Sequence, residues 1–208
     1  MKFIKLVYMC VFSLSITNFG FAQVDEKIKG DRDVTIKQTY MDAFNSIIIK
    51  NDFEVKIAYN SKPSVEIEAD DNLHEIINVS VIDGVLNISA DKRIISKKKL
   101  VITVNYSDNL QTIELYDETE LRSLTSLELK DFTLKVENNS RAYLNIKANS
   151  FHFSAAGKSK SRLNIVADST KFVLSDNSKI DMLVSGRKSS RSRVGFQSKS
   201  RSISRLSA

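Results

Sequence analysis

The sequence is poor in cysteine, proline, glycine and tryptophan. Its 208 residues include one cysteine, one proline, six glycines and no tryptophan. Cys10 lies in the apolar N-terminal segment, so the chain beyond that segment can form no internal disulfide and no thiolate metal site. Pro63 is isolated, and no Pro/Gly-rich linker divides the chain. We therefore expect one domain whose stability comes from packing rather than from covalent cross-links.

Long hydrophobic runs are absent apart from one near the N-terminus. Lys2 and Lys5 precede an apolar run over residues 6–16, and small residues lead to a cleavage point after Ala22. This pattern predicts a signal peptide over residues 1–22 and export to the periplasm, the outer-membrane surface or the extracellular space. The run is short for a bilayer span, and an uncleaved anchor is the alternative. No transmembrane helix is expected after removal of the signal.

The most regular feature of the sequence is a nineteen-residue repeat over residues 132–188. Apolar and polar residues alternate within each copy, and a period of two is typical of half-buried strands. Because nineteen is odd, the inward set changes parity from copy to copy. The sequence therefore predicts a β-solenoid of 19-residue coils, each burying its apolar face against the next. The aligned apolar columns are Leu134, Phe153 and Phe172; Leu144, Leu163 and Met182; and Ile146, Ile165 and Val184.

A polar column separates the two strands of each copy. It contains Ser140, Ser159 and Ser178, and residues that tolerate left-handed backbone precede each of them. We interpret these as turn serines rather than nucleophiles, because no base is partnered with them. Counting back nineteen residues predicts that the coils start near residue 110. The inward residues of that earlier coil are then Ile113, Leu115, Leu127 and Leu129.

Shorter alternating segments precede the repeat and predict a cap of N-terminal strands. Asp83-Gly84 lies between two such segments, and this dipeptide favours the positive φ angles of a two-residue hairpin. The basic run over residues 97–99 is interpreted as a solvated turn, with binding to an anionic surface as the alternative.

The strand positions before and at the start of the repeat follow a recognisable order. They are Phe44, Ile47, Ile49, Val55, Ile57, Val65, Ile67, Asp71, Asn72, Leu73, Val81, Asp83, Gly84, Leu86, Ile88, Ile102, Leu110 and Ile113. This order resembles that of the bacterial putative auto-transporter adhesin family with a head GIN domain, over about residues 40–188. The resemblance implies an exported protein of a Gram-negative bacterium with a right-handed β-helix-like superhelix of two sheets. It also implies a shape similar to pectin lyases without their catalytic residues, and a role in adhesion.

The resemblance also shapes the predicted division of the chain. The turns of the family are usually Gly-Ser-Gly, whereas here only Gly157 keeps a glycine, and the closing strands of the family are not recognisable after residue 188. We expect four segments. They are a signal peptide (1–22), a lead segment (23–39), a head GIN-like β-solenoid domain (40–188) and a basic tail or last weak coil (189–208).

The repeats predict no catalytic, metal or cofactor site. Glu137 and Asp176 have no carboxylate one repeat away, although acid/base cleavage of a glycan needs two titratable groups close together. His74 and His152 are far apart and share their spacing with no acidic residue. We therefore expect a non-enzymatic cell-envelope or surface protein that binds polysaccharide or protein through a flat solenoid face. The alternatives are a carbohydrate-active β-helix enzyme, a polysaccharide lyase or hydrolase, and an envelope structural or regulatory partner.

Positive charge is concentrated at the C-terminal end. The net charge is +6: the first 22 residues carry +2, residues 182–208 carry +7, and the segment between them carries −3. We interpret this end as a weak last coil whose charges discourage end-to-end stacking of open strand edges. The alternative, in an exported protein, is contact with an anionic glycan or lipopolysaccharide rather than with nucleic acid. The basic residues concerned are Arg187, Lys188, Arg191, Arg193, Lys199, Arg201 and Arg205.

Overall fold

Nearly all of the regular structure is β-strand. The computed structural model describes residues 26–186 and the backbone of residues 192–197 and 204–207. Among these residues the only helix is a short 3₁₀ helix, Asp71–Ile76. The prediction of an all-β protein is confirmed, whereas the predicted signal peptide lies outside the described residues. The strands are β1 (Lys27–Lys29), β2 (Val34–Tyr40), β3 (Ser46–Ile49), β4 (Glu54–Tyr59), β5 (Ser64–Asp70), β6 (Ile77–Ile82), β7 (Val85–Ala90), β8 (Arg93–Ser96), β9 (Leu100–Tyr106), β10 (Thr112–Leu115), β11 (Glu120–Ser123), β12 (Leu127–Glu128), β13 (Asp131–Val136), β14 (Arg141–Ala155), β15 (Lys160–Leu174), β16 (Lys179–Ser185), β17 (Ser192–Gln197) and β18 (Ser204–Ser207).

One strongly curled sheet contains sixteen of the described strands, and β1 and β8 pair separately. β14 and β15 each pass from one side of the curl to the other. In β14 the even-numbered residues are buried as far as Ala148, and the odd-numbered residues are buried from Phe151 onward. β15 changes in the same way between Ala167 and Thr170. Each strand therefore bends at this point and keeps the core on its inner side; the handedness of the winding stays a prediction.

In-register parallel pairing joins β13, β14, β15 and β16 at an offset of nineteen residues. Phe153 lies opposite Leu134 on one side and Phe172 on the other, as the repeat predicts. All three side chains are buried, and the rings of Phe153 and Phe172 are 6.2 Å apart. The apolar columns therefore form the core of this part of the protein. The other two columns align in the same way, and they are Leu144, Leu163 and Met182, and Ile146, Ile165 and Val184.

The register changes by two residues at the first repeat. β10 pairs with β13 at an offset of 21, so that Ile113 lies opposite Leu134, whereas Leu127 lies opposite Ile146 at an offset of nineteen. Two additional residues between Ser123 and Leu127 account for the difference. Because a shift of two keeps a side chain on the same face of its strand, Ile113 is buried as predicted. The prediction that Ile113 aligns with the residue nineteen positions later is wrong, because its partner is Leu134.

The parallel stack also extends beyond the predicted start near residue 110. β3 lies between β7 and β10, and β4 lies between β9 and β11, with parallel pairing on both sides. Ile47 thus lies opposite Leu86 on one side and Ile113 on the other. The order of layers in space is therefore not their order in the chain. The predicted start is wrong because β3 and β4 enter the stack between two layers that follow them in sequence.

Antiparallel strands pair with the outer strands of this stack. β6 and β7 form the predicted hairpin, with Asp83 and Gly84 at φ angles of 51° and 76°. β5 pairs antiparallel with both β9 and β2. At the other end, β17 and β18 pair antiparallel with β16 and β15. These last two strands therefore do not continue the parallel repeat.

The basic run between β8 and β9 is tied to the end of β5 through its backbone. The buried carboxylate of Asp70 accepts hydrogen bonds from the N–H groups of Lys98 and Lys99 at 2.9 to 3.1 Å and from that of Arg32 at 3.1 Å. Burial raises the pKa of Asp70, but these donors and the charge of Arg32 outweigh that effect and hold the pKa below its usual value. The run is a turn whose Lys97 and Lys98 side chains are exposed.

A tight turn with a left-handed residue joins the two strands of each layer except the layer of β7 and β9, which β8 and the basic run connect. Lys158 N–H donates to the carbonyl of Asn138 at 2.6 Å, and Asn177 N–H donates to that of Gly157 at 2.9 Å. The hydrogen-bond ladder between layers thus continues through the turns and holds the residues after them in line. The left-handed residues, with φ between 56° and 75°, are Asn51, Asp117, Asn138, Gly157 and Asp176.

A buried serine lies on the inner side of each turn of the repeat, and in two of the three turns its hydroxyl group closes the turn with a hydrogen bond. Ser140 Oγ donates to the carbonyl of Glu137 at 2.6 Å, and Ser178 Oγ donates to that of Ser175 at 2.7 Å. Ser159 occupies the same position and is fully buried, but its hydroxyl has no hydrogen-bond partner among the described residues. Burial of all three serines agrees with their interpretation as turn residues.

Replacing Gly157 with alanine is expected to destabilise the protein more than replacing Gly84. Both have positive φ, which costs an alanine about 1 kcal/mol. A Cβ at Gly157 would also lie 2.8 Å from the carbonyl oxygen of Asn138, whereas the nearest atom at Gly84 is 3.7 Å away. We expect a loss of roughly 2–4 kcal/mol for Gly157→Ala and about 1 kcal/mol for Gly84→Ala in urea unfolding. Equal losses would contradict the close approach of the two turns.

Ser159→Ala and Ser140→Ala are expected to act in opposite directions. The first substitution removes a buried hydroxyl that has no partner, so the free energy of unfolding should stay unchanged or rise by up to about 1 kcal/mol. The second removes a made hydrogen bond and should lower it by about 1 kcal/mol. Thermal unfolding of the two variants, which carry the same chemical change one repeat apart, measures the difference. A loss of stability in both variants would argue against the unpartnered hydroxyl.

Asp70→Asn is expected to remove a pH-dependent part of the stability. Because the folded-state pKa of Asp70 is lowered, its contribution is present above the unfolded-state pKa of about 4 and is lost as pH falls through the folded value. The difference in unfolding free energy between wild type and variant should be constant above about pH 5 and shrink below about pH 4. Urea unfolding across this pH range measures it, and a difference that grows in acid would refute the assignment.

Candidate functional site

On one side of the curl, the strands that follow the tight turns begin with a row of charged residues. This charged row consists of Glu54, Glu120, Arg141, Lys160 and Lys179, the first residues of β4, β11, β14, β15 and β16. The parallel register places each directly opposite the next. Neighbouring charges therefore lie on strands about 4.8 Å apart. The row is acidic at one end and basic at the other.

A groove of about 520 Å³ runs along the turns beside the charged row. The turns contribute Asp52, Glu118 and Lys158 to its lining, and the charged row contributes its three basic residues. Asparagines from the turns complete the lining, and none of the described lining residues is apolar. The groove therefore suits a hydrophilic ligand, and its charge changes from acidic to basic along its length.

The acidic and basic parts of the row meet at Glu120. Its carboxylate lies 2.6 Å from the Arg122 guanidinium and 3.6 Å from that of Arg141. Beyond this contact, Lys160 and Lys179 are exposed and lie directly opposite each other, and the row places no carboxylate beside them. Like charges directly opposite in a sheet repel each other, so the basic end of the row is not neutralised within the row itself.

A second outward row lies next to the charged row. It contains Arg122, Tyr143, Arg162 and Asp181, again in register from strand to strand. The Arg122 guanidinium lies 4.2 Å from the centre of the Tyr143 ring, and Arg162 lies 3.8 Å from Asp181. The aromatic face of Tyr143 is therefore already occupied by a cation.

The fold of this chain has relatives among known proteins. A protein-family model described as putative auto-transporter adhesin, head GIN domain, matches residues 43–189. The chain belongs to this family. The resemblance that the sequence shows over residues 40–188 is confirmed.

Solved structures share the fold of this head GIN domain. A putative adhesin of Parabacteroides distasonis is 21% identical, covers 77% of this chain and 69% of its own, and has a TM-score of 0.66. A putative lipid binding protein of the same organism is 13% identical over 77% of this chain and 70% of its own, with a TM-score of 0.66. A putative adhesin of Bacteroides fragilis is 18% identical over 76% and 80%, with a TM-score of 0.61. At these identities the likeness shows the fold alone. No curated protein matches the chain significantly.

The basic tail predicted to contact anions is described only in part. Arg193 lies in β17 opposite Leu183, and Arg205 lies in β18 opposite Val173. Only the backbone is described at these two positions, so binding by the tail stays a prediction. The remaining predicted residues lie outside the described part of the chain, and they are Arg187, Lys188, Arg191, Lys199 and Arg201.

Sequence reasoning missed the charged row of the head GIN domain. Glu120 pairs with Arg141 at an offset of 21 residues and Glu54 pairs with Glu120 at an offset of 66, so the nineteen-residue repeat aligns neither pair. The signal that was present is the repeat of basic residues at 141, 160 and 179, each directly after a turn serine. Glu54 and Glu120 lie opposite each other on neighbouring strands, an alignment of two carboxylates that the later repeats lack. Glu120 forms ion pairs with Arg122 and Arg141.

The other side of the curl carries a cluster around Lys135. Its Nζ lies 3.0 Å from both Tyr116 Oη and a Glu137 carboxylate oxygen, and Tyr116 donates to Glu114. The hydrogen bond to Tyr116 and the charge of Glu137 raise the pKa of Lys135, and the bond to Glu114 raises that of Tyr116. These groups therefore neutralise and hydrogen-bond one another.

The two histidines of the head GIN domain lie in separate places. His74 Nε2 lies 3.0 Å from Thr35 Oγ1. His152 is exposed on β14, between Thr133 and Lys171, as the repeat predicts. Within the described residues no cluster of His, Cys, Asp or Glu is suited to hold a metal ion. In the same part of the chain, no helix reaches the length and apolar character needed to cross a bilayer.

Proposed function

We propose that this head GIN domain is an exported, non-enzymatic cell-envelope or surface protein. It holds an extended ligand, a polysaccharide or a protein segment, on the outward rows of its sheet. The observation that carries the proposal is the in-register stacking of β14, β15 and β16, which repeats each outward position from strand to strand. A ligand with its own linear repeat meets equivalent groups at each strand, which is how extended repeat surfaces bind.

The winding that we propose for the stack is a right-handed β-helix-like solenoid with 19-residue coils. The nineteen-residue offset from β13 to β16 supports it, together with the bends at 149–150 and 168–169. In this winding the charged row and the row beside it lie on one flat face. The repeat of that face, rather than one enclosed pocket, provides the binding surface.

Relatives and local chemistry favour binding over catalysis. Two of the solved structures with this fold are described as putative adhesins and one as a putative lipid binding protein. In this chain Glu120 is held in ion pairs with Arg122 and Arg141. The aligned pair Glu54 and Glu120 therefore lacks the separate acid and base that glycoside cleavage needs.

The place of action that we propose is the periplasm, the outer-membrane surface or the extracellular space. The signal-peptide pattern over residues 1–22 and membership of an auto-transporter adhesin family support export. The basic tail belongs to the same proposal, as a second contact for anionic glycan or lipopolysaccharide. Its strands β17 and β18 lie at the end of the sheet that carries the charged row.

Tyr143→Ser together with Arg162→Ser is expected to weaken ligand binding about five- to thirtyfold. Both side chains stand on the proposed face, where Tyr143 offers its hydroxyl group and Arg162 its charge, and each contributes roughly 0.5–1 kcal/mol to binding. The matched control is His152→Ser with Lys171→Ser, which also removes one ring and one cation, but from the other side of the curl. Affinity electrophoresis in neutral and acidic polysaccharides measures binding, and pull-down of envelope proteins covers the protein alternative.

Assays for new reducing ends and for unsaturated products, run on the same mixtures, test the proposal that the protein does not cleave its ligand. A polysaccharide or a single envelope protein retained by wild type and control, weakened in the first variant and left uncleaved, supports the proposal. Cleavage at an enzyme-like rate overturns it in favour of a lyase or hydrolase. Equal weakening in both double variants overturns the choice of face.

A further inference from the structure

We propose that the basic end of the charged row binds a linear acidic polysaccharide, laid across the strands with its negative groups in register with Arg141, Lys160 and Lys179. This inference rests on the proposed function and names the ligand class of the same face. The groove along the turns places Lys158 beside these three residues as a further cation.

Spacing is the first argument for a repeating anion. Parallel register fixes Arg141, Lys160 and Lys179 on three consecutive strands, so successive cations recur about every 4.8 Å and the three span about 10 Å. One sugar ring advances an extended polysaccharide by a similar length. A chain with a carboxylate or sulfate on each sugar can therefore meet one cation per residue, whereas a single acidic sugar can meet only one or two.

The second argument is the uncompensated charge of the row. Like charges directly opposite in neighbouring strands destabilise a sheet, yet Lys160 and Lys179 stand in that relation. Glu120 neutralises the row only as far as Arg141. A polyanion in the groove relieves the repulsion between the lysines, and part of its binding free energy comes from that relief.

The acidic end of the groove limits the length of the bound chain. Asp52 and Glu118 line the groove on the far side of Arg141, and Glu54 and Glu120 continue the charged row there. These carboxylates repel a polyanion, so the favourable stretch covers the three basic strands. We therefore expect three to four sugars to be bound. Longer chains should bind only slightly more tightly, because they merely offer more places at which such a stretch can bind.

The choice of a polysaccharide over single-stranded nucleic acid follows from the aromatic residues. Proteins that bind single strands stack bases on exposed aromatic rings beside a basic groove. On this face the Tyr143 ring is covered by the Arg122 guanidinium, and the groove lining contains no aromatic side chain. The surface thus offers charges in register without a stacking platform.

The test compares two triple variants of the full chain. Lys158→Gln, Lys160→Gln and Lys179→Gln remove charge from the groove. Lys62→Gln, Lys130→Gln and Lys171→Gln remove the same charge from exposed positions elsewhere. The probes are oligogalacturonates of one, four and twelve sugars, with neutral dextran and an oligothymidylate as comparisons. Titration calorimetry across a salt series gives affinity and its salt dependence.

We expect wild type to bind the four-sugar probe far more tightly than the monomer, and the twelve-sugar probe only slightly more tightly than the four-sugar one. The groove variant should lose roughly tenfold to a hundredfold in affinity at low salt, since each exposed charge pair is worth about two- to fivefold. The slope of log affinity against log salt should fall by about 2 in the groove variant. The control variant should change by less than about threefold. The unfolding temperature of the groove variant should be unchanged or higher than that of wild type, because the substitutions remove repulsion between neighbouring lysines.

Other results overturn the inference in distinguishable ways. Equal losses in both triple variants show an effect of net charge alone. Tighter binding of the oligothymidylate than of the twelve-sugar probe shows a nucleic-acid surface. Dextran bound equally by wild type and groove variant overturns the acidic ligand but leaves the proposed function standing. Failure to bind any polysaccharide, combined with an envelope protein captured on the same face, also overturns the inference alone. Cleavage of the oligogalacturonates overturns the proposed function together with it.

Discussion

In-register parallel hydrogen bonding between neighbouring layers is the constraint on which the rest of this structure depends. β14 and β15 are aligned through fourteen residue pairs, and β16 continues the same register. A slip of β15 by one residue against β14 would turn Leu163 outward and bring Asn164 into the core. The hydrophobic effect therefore fixes the register, and the register in turn fixes which outward side chains become neighbours.

The turns carry that register from one strand of a layer to the next. Left-handed residues such as Asn138 and Gly157 let the chain reverse sharply, and the hydrogen bond from Lys158 to Asn138 keeps successive turns in contact. The hydroxyl groups of Ser140 and Ser178 hold the chain from the inside, whereas that of Ser159 is buried without a partner among the described residues. Because each basic residue directly follows such a turn, tight stacking of the turns is what aligns Arg141, Lys160 and Lys179.

The function that we propose depends on the same stacking, since a repeat that aligns apolar groups inside also aligns charges outside. Inside, alignment is favourable, because the rings of Phe153 and Phe172 pack against each other. Outside, alignment of Lys160 with Lys179 costs electrostatic free energy unless an external anion is present. Because the two effects have opposite signs, the aligned inner positions stabilise the fold, whereas the aligned outer charges destabilise it and are the positions that we propose to bind a ligand.

The sequence by itself determined the features that depend on local pattern. Alternation and the nineteen-residue period determined the strands and the inward columns over residues 132–188, and Asp83-Gly84 determined the hairpin. Tertiary structure alone decided the place of β3 and β4 in the stack, because no sequence period relates Ile47 to Leu86 or to Ile113. Tertiary structure also decided which residues form the charged row. Glu120 pairs with Arg141 only because two extra residues before Leu127 are left out of the strand pairing. A sequence repeat determines which residues are neighbours on adjacent strands only where its spacing stays constant. Elsewhere, packing of the core determines them.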